Sequence, residues 1–193
     1  MKDVRILVLS GSIRSGSFNT QLAGLVAKYA ALADAQVTQV SLADYPMPIY
    51  DGDLEKADGV PEAARKLKAV FQRHHGVFIA SPEYNTAVSP LLKNTLDWLS
   101  RLSDAGEPPA AAFKDRVFAL GAATPGTLGG IRGLMGLRTI LEIGLGALVI
   151  PEMATVPNAS KAFDARGELT DERTATFLQA MVSRLIAEAR LRG

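Results

Sequence analysis

Apolar residues in this chain come in short unbroken runs separated by longer stretches of helical spacing. Val4 to Leu9 reads VRILVL, and Gly76 to Ala80 reads GVFIA. Runs of that kind, without polar alternation, suit strands buried on both faces of a parallel sheet. Arg116 to Leu120 and Ala147 to Ile150 read as two more strands, and Gln36 to Val40 as a weakly patterned fifth. Between the runs the period lengthens. Leu22, Leu25, Val26 and Tyr29 mark a helix over Phe18 to Leu32, and Leu67, Val70 and Phe71 mark one opened by Pro61. Pro90 opens a third with Leu91, Leu92, Leu96 and Leu99, and a fourth carries Leu134, Leu137, Ile140 and Leu141. The last, Asp171 to Arg190, sets Phe177, Leu178, Met181, Leu185 and Ile186 on one stripe.

Five strands alternating with five helices predict an α/β domain, a parallel sheet with helices on both faces. Residues 1–193 show no repeat or linker and read as a single domain. In such a sheet a ligand sits outside the carboxyl ends of the strands, at the switch point of the winding. Three strand ends carry candidate chemistry.

The first is Gly11 to Thr20, GSIRSGSFNT. It offers hydroxyls, the Arg14 guanidinium and the N–H groups of the following helix, a donor set suited to a phosphate monoester. The lysine of a triphosphate-binding loop is missing, and no GxGxxG follows the first strand. Taken alone, such a turn serves equally as a helix cap, with Ser17 as the capping residue. The second is Ser81-Pro82-Glu83-Tyr84-Asn85, whose peptides can meet one edge of a planar heterocycle or form an ordinary turn. The third, Thr124 to Arg132 (TPGTLGGIR), supplies glycines for close backbone approach and the Thr124 hydroxyl, or is only a flexible turn.

Composition narrows the chemistry. There are no cysteines, which excludes disulfides, thiolate catalysis and iron–sulfur clusters. The only histidines, His74 and His75, are adjacent and read as a solvated helix end rather than a metal site. A net charge of +1 gives no footprint for nucleic acid or an anionic membrane, and it argues against an acidic electron shuttle. The start at Met1-Lys2-Asp3 lacks a secretory pattern, and no apolar run reaches the roughly 18 residues of a membrane span. A cytoplasmic location is the expectation.

GSIRSGSFN resembles the phosphate loop of the NADPH-dependent FMN reductase family, the group of chromate and quinone reductases and azoreductases. Ser12, Arg14, Ser17 and Asn19 match it directly, with Phe18 and Thr20 inside the loop. PEYNTAVSPLLKNTLDWL resembles that family's second signature, in which the peptides of Pro82, Glu83, Tyr84 and Asn85 contact the ring. Thr124 and Gly126 would close its pyrimidine side, and Gly129-Gly130-Ile131-Arg132 matches the start of an interface helix. The resemblance implies a flavodoxin-like three-layer sandwich with strand order 2-1-3-4-5. It implies bound FMN and a ping-pong cycle in which NADPH or NADH delivers its hydride to flavin N5 and is replaced by a small acceptor. Quinone, azo compound, chromate and free flavin all qualify. No catalytic side chain is expected, because the flavin carries the chemistry. Trp98 reads as a core or interface residue. Apolar residues spread around the helix after Pro90, with Leu102, imply a homodimer or homotetramer, and Tyr84 and the Tyr45 to Asp51 loop are expected to wall the acceptor shelf. The competing readings are a non-catalytic flavin module or electron carrier, and a nucleotide hydrolase that lacks its carboxylate cluster.

Overall fold

Strands β1 (Arg5–Ser10), β2 (Gln36–Ser41), β3 (Gly76–Ala80), β6 (Val117–Ala123) and β7 (Leu148–Val156) form one parallel sheet. Its order is β2-β1-β3-β6-β7, which is 2-1-3-4-5 when only these strands are counted. The fold is the flavodoxin-like α/β sandwich. The computed structural model describes residues 3–192, so Met1, Lys2 and Gly193 lie outside the described residues.

Alternate residues of each central strand feed opposite layers, as the pleat requires. Ile6, Val8, Phe78, Val117 and Ala119 pack against α1 (Phe18–Leu32) and α7 (Glu172–Arg190). Leu7, Leu9, Val77, Ile79, Phe118 and Leu120 pack on the other face against α3 (Glu62–Gln72), α4 (Pro90–Ser100) and α5 (Ile131–Thr139). β3 and β6 are buried along their whole length, which is why they read as unbroken apolar runs.

Several elements differ from the sequence expectation. β7 extends through Pro151 to Val156 rather than ending at Ile150. It is an edge strand with a register shift opposite Phe118 and Leu120, a setting that tolerates a proline. Two short helices, α2 (Gly52–Asp58) and α6 (Ala159–Ala162), and a hairpin of β4 (Glu83–Tyr84) and β5 (Ala87–Val88) carry no apolar period to announce them. Phe177 is 45% exposed, and Val182 takes its place in the buried stripe of α7. His74 is buried rather than solvated, with Nδ1 2.6 Å from the Val70 carbonyl. The apolar surplus on α4 is absorbed within the chain. Leu92, Leu96, Trp98 and Leu99 are buried, Trp98 beneath residues 45–51 with Nε1 donating to the Pro48 carbonyl at 2.8 Å. Among the described residues no helix is long and apolar enough to cross a membrane.

One polar cluster pins the long loop between α4 and β6. The buried Lys68 ammonium donates to Asp104 at 2.7 Å and to Glu107, which also accepts from Gln72 at 2.6 Å. The Lys68 contact, the Asp104 N–H and Gln72 together hold the Glu107 carboxyl at about 2, well below its ordinary 4.5. A depressed carboxyl stabilises the fold above its unfolded value and ceases to do so as pH falls through the folded one. Amide protection in residues 103–108, taken relative to the intrinsic exchange rate at each pH, is therefore expected to be high at pH 5 and to fall as pH drops toward 2. Glu107→Gln should remove most of that pH dependence, and a parent-like profile in this variant would contradict the assignment.

Candidate functional site

The turn after β1 is organised before any ligand arrives. The Ser12 N–H donates to Ser10 Oγ at 3.2 Å, the Arg14 N–H to Ser12 Oγ at 3.3 Å, and the Ser17 N–H to the Arg14 carbonyl at 3.2 Å. Ser17 occupies the N-cap of α1 in an extended conformation, yet its side chain makes no capping bond. Asp51, Ser89 and Asp171, by contrast, each cap α2, α4 and α7 with a side-chain oxygen. The start of α1, a helix of 15 residues, thus has no side-chain acceptor. Arg14 is exposed, its guanidinium 5.9 Å from the Phe18 ring centroid and bonded weakly to the Ser15 and Gly16 carbonyls at 3.3 and 3.4 Å. Two hydroxyls, one exposed guanidinium and uncapped N–H groups fit a phosphate monoester.

Asn19 has a different task from the one its position in the motif suggested. Its side chain is buried, with Nδ2 donating to the Ala123 carbonyl at 2.9 Å and Oδ1 accepting the Ala123 N–H at 3.0 Å. The amide is fully committed to the end of β6, so only the main chain of Asn19 is free to face a ligand. Ser89 makes the corresponding link on the other side. It caps Leu92 and donates to the Gly11 carbonyl at 2.6 Å. Gly11 packs closely there: a Cβ would lie 3.1 Å from Leu92 Cβ and 3.2 Å from Pro82 Cδ.

The second loop is a two-residue hairpin. Asn85 and Thr86 have φ of 49° and 68°, as a type I′ turn requires, and for β-branched Thr86 that conformation is strained. Glu83 turns inward from this hairpin. It accepts from Arg132 Nε at 3.1 Å and from the Gly133 N–H at 2.9 Å, capping α5. Burial pushes the Glu83 carboxyl up, but these donors outweigh it and hold the group below the usual carboxylate value. The third loop is fixed by the Thr124 N–H on the Val156 carbonyl at 3.1 Å and the Asn158 N–H on Gly126 at 3.2 Å. Gly130, at φ 88°, admits no side chain, since a Cβ would stand 2.6 Å from Ala122 Cβ.

Between hairpin and third loop lies an open cleft of about 430 Å³. Of the expected residues it gathers Glu83, Asn85, Thr124 and Gly126, and it adds Thr86, Leu128 and Arg132. Pro82 closes against Gly11, and Tyr84 stands half exposed on the hairpin. Ser12 and Thr20 line a separate cleft of about 380 Å³ toward β2, with Ser41 and Asp44. Arg132 was legible in the sequence as the last residue of the Gly-Gly-x-Arg start. Thr86 was not, because an Asn-Thr pair is not a usual signal for this turn.

The family model described as NADPH-dependent FMN reductase matches residues 4–161. The NAD(P)H-dependent FMN reductase of Pseudomonas aeruginosa is 31% identical, the match covering 99% of this chain and 98% of that protein. A quinone reductase of Escherichia coli K12 is 33% identical, over 93% of this chain and 92% of its own. Among solved structures, the flavoenzyme NAD(P)H:(acceptor) oxidoreductase FerB from Paracoccus denitrificans superposes with a TM-score of 0.77. The two are 26% identical, with 98% of this chain and 99% of that one covered.

The Asn19 link predicts a measurable cost. Asn19→Ala leaves the Ala123 N–H and carbonyl without partners in a buried setting, at ~1–3 kcal/mol for each unsatisfied group. Denaturant unfolding should show this loss, and unchanged stability would mean that the two elements do not depend on the amide.

Proposed function

The chain belongs to the NADPH-dependent FMN reductase family, and on that premise we propose how its own residues hold the cofactor and which acceptor it serves. It is an FMN-dependent NAD(P)H oxidoreductase. The uncapped start of α1 carries the proposal, because the Asn19 amide ties it to the end of β6 and so to the loop that walls the cleft. Ser12, Arg14, Ser17 and the N–H groups of Phe18, Asn19 and Thr20 hold the phosphate. The peptides of Pro82, Glu83, Tyr84 and Asn85 meet one edge of the ring, and Thr124 and Gly126 meet its pyrimidine side. FMN, when bound, supplies the two-electron chemistry between nicotinamide and acceptor.

The protein's part is binding and orientation. Glu83 is already bonded to Arg132 and Gly133, so it acts as a brace between the second and third loops rather than as a proton donor. Leu128 and Tyr84, each about half exposed, offer an apolar shelf for a flat acceptor. We assign a quinone as that acceptor, a choice supported by the quinone reductases among the relatives. Residues 45–51 are held in place by Asn94, which donates to the Pro48 carbonyl and accepts the Tyr50 N–H, both at 2.8 Å. They present Ile49 almost fully exposed, and we place them at the shelf of a neighbouring subunit. Leu128 before α5, Met135 on it and Ile143 after it are exposed apolar side chains, which supports a homodimer or homotetramer. The supply of reduced nicotinamide favours a cytoplasmic setting.

Steady-state NADPH and NADH oxidation, measured anaerobically with benzoquinones, an azo dye, chromate and free FMN, tests the acceptor. A quinone should give the highest kcat/KM, and turnover should need no second reductase; a carrier would show none. Arg14→Ala should cost about 1.5–3 kcal/mol of FMN affinity, the range for a charge-assisted bond. At full FMN occupancy Glu83→Gln should keep NADPH oxidation within about tenfold of the parent, because a general acid–base role is worth ~10²–10⁴-fold. A thousandfold loss would assign Glu83 a proton.

A further inference from the structure

At the opposite end of the sheet from the three loops, Arg116 stands just before β6 and is only 7% exposed. Its guanidinium donates through Nη1 to the Ala111 and Ala112 carbonyls at 2.9 and 2.7 Å. Nε is buried and has no acceptor among the described residues. Among the described residues no carboxylate forms an ion pair with the guanidinium. Asp115 attracts it only through space, and burial holds its pKa below the usual arginine value. A buried arginine without a counter-charge is unusual, because removing the charge from water is costly unless an anion compensates. The edge left over is informative. Nε and Nη2 share the fork edge of the planar group; Nε has no accessible surface, so Nη2 is the part of the fork that an anion in the cavity reaches.

That arginine lines a cavity of about 700 Å³ with Lys114, Asp115, Gly146 and Arg192. Lys114 is fixed at its wall, donating to the Leu145 and Gly146 carbonyls at 2.8 and 3.3 Å. Arg192 is exposed, and its guanidinium donates to the Glu188 carbonyl at 3.4 Å. Three cations less one carboxylate leave the cavity with two positive charges. The positive field reaches further into the protein. Burial depresses the neighbouring His74, and Arg5, Arg73 and Arg116 push it further in the same direction against its bond to Val70. Cations here also suit the helix ends that close this side of the sandwich, but that role is met by Lys114 and by Nη1 of Arg116, and it does not involve Nη2.

We propose that this cavity is a second anion site, which takes a doubly charged tetrahedral oxyanion of the phosphate or sulfate class at Nη2 of Arg116, with Lys114 and Arg192 beside it. β6 spans 7 residues between this cavity and the third loop, on the order of 20 Å. The site is therefore separate from the FMN phosphate loop, and its occupant would tie the start of β6 to the end of α7.

The test uses the FMN-loaded enzyme in excess FMN, so that the phosphate loop is filled. Inorganic phosphate is titrated at constant ionic strength, balanced with chloride, and binding is followed by calorimetry and by phosphorus NMR. Sulfate and acetate are run in parallel. The expected result is one saturable phosphate per chain, with sulfate competing and acetate much weaker. Arg116→Lys keeps a charge and loses the fork, and should weaken binding by roughly 10- to 100-fold. Arg192→Glu, at an exposed position, should weaken it as well, so the test stands even if Arg116→Lys fails to fold. FMN content and NADPH oxidation should stay at parent values in Arg192→Glu. No saturable binding, equal binding of acetate, or parent-like affinity in Arg192→Glu and in folded Arg116→Lys would overturn the proposal. So would phosphate binding that appears only when FMN is removed, which would place the ion in the first loop.

Discussion

The Asn19 amide closes two hydrogen bonds onto Ala123, one to each backbone group, and through them the start of α1 and the end of β6 hold one position. This matters because β3 lies between β1 and β6 in the sheet, so their loops come from strands that are not neighbours. Hydrogen bonds along the ladder set the strands but do not set the loops beyond them. Ser89 on Gly11, Glu83 on Gly133 and the Asn158 N–H on Gly126 extend the same device around the rim. The Asn19, Ser89 and Glu83 links join a buried or half-buried side chain to main chain, so each carries the penalty of an unsatisfied partner if broken. The cradle is rigid because its neighbours cannot be separated cheaply.

That rigidity allows one helix to remain incomplete. A side-chain cap contributes about 1 kcal/mol, and α1 does without one although Ser17 stands in the right place. An anion at this helix start recovers the loss through the N–H groups and the helix dipole. Strain at Asn85 and Thr86 follows the same pattern, being held by the Glu83 brace and the packing of the hairpin on α5. Unfavourable local terms thus gather where a ligand would meet them, and structural ties carry them elsewhere.

Much of this was legible in the sequence. The unbroken apolar runs marked β1 and β3 because burial on both faces removes any need for alternation, and the helical stripes located α1, α3, α4 and α7. The loops were legible as positions, since small and hydroxylated residues cluster at strand ends. What each side chain does in them was not. Asn19 and Glu83 belong to the two motifs, but one is spent on Ala123 and the other on α5, and those partners lie 104 and 50 residues away. The burial of Trp98 was expected, but that of His74 was not, because two adjacent histidines at a helix end read as solvated. α2, α6 and the hairpin were missed because they are short and mostly exposed, so no apolar period forms. The extent of β7 was obscured by Pro151, which only an edge strand can carry.

The account rests on the first loop holding a phosphate, and a flavin titration of the apoprotein with FMN and riboflavin tests it most directly. The two ligands share the ring and the ribityl chain, so their difference in affinity isolates the phosphate. The account predicts that FMN binds at least ~100-fold more tightly than riboflavin, the sum of two or more charge-assisted bonds, and that much of the difference disappears in Arg14→Ala. Equal affinity for the two flavins would contradict it.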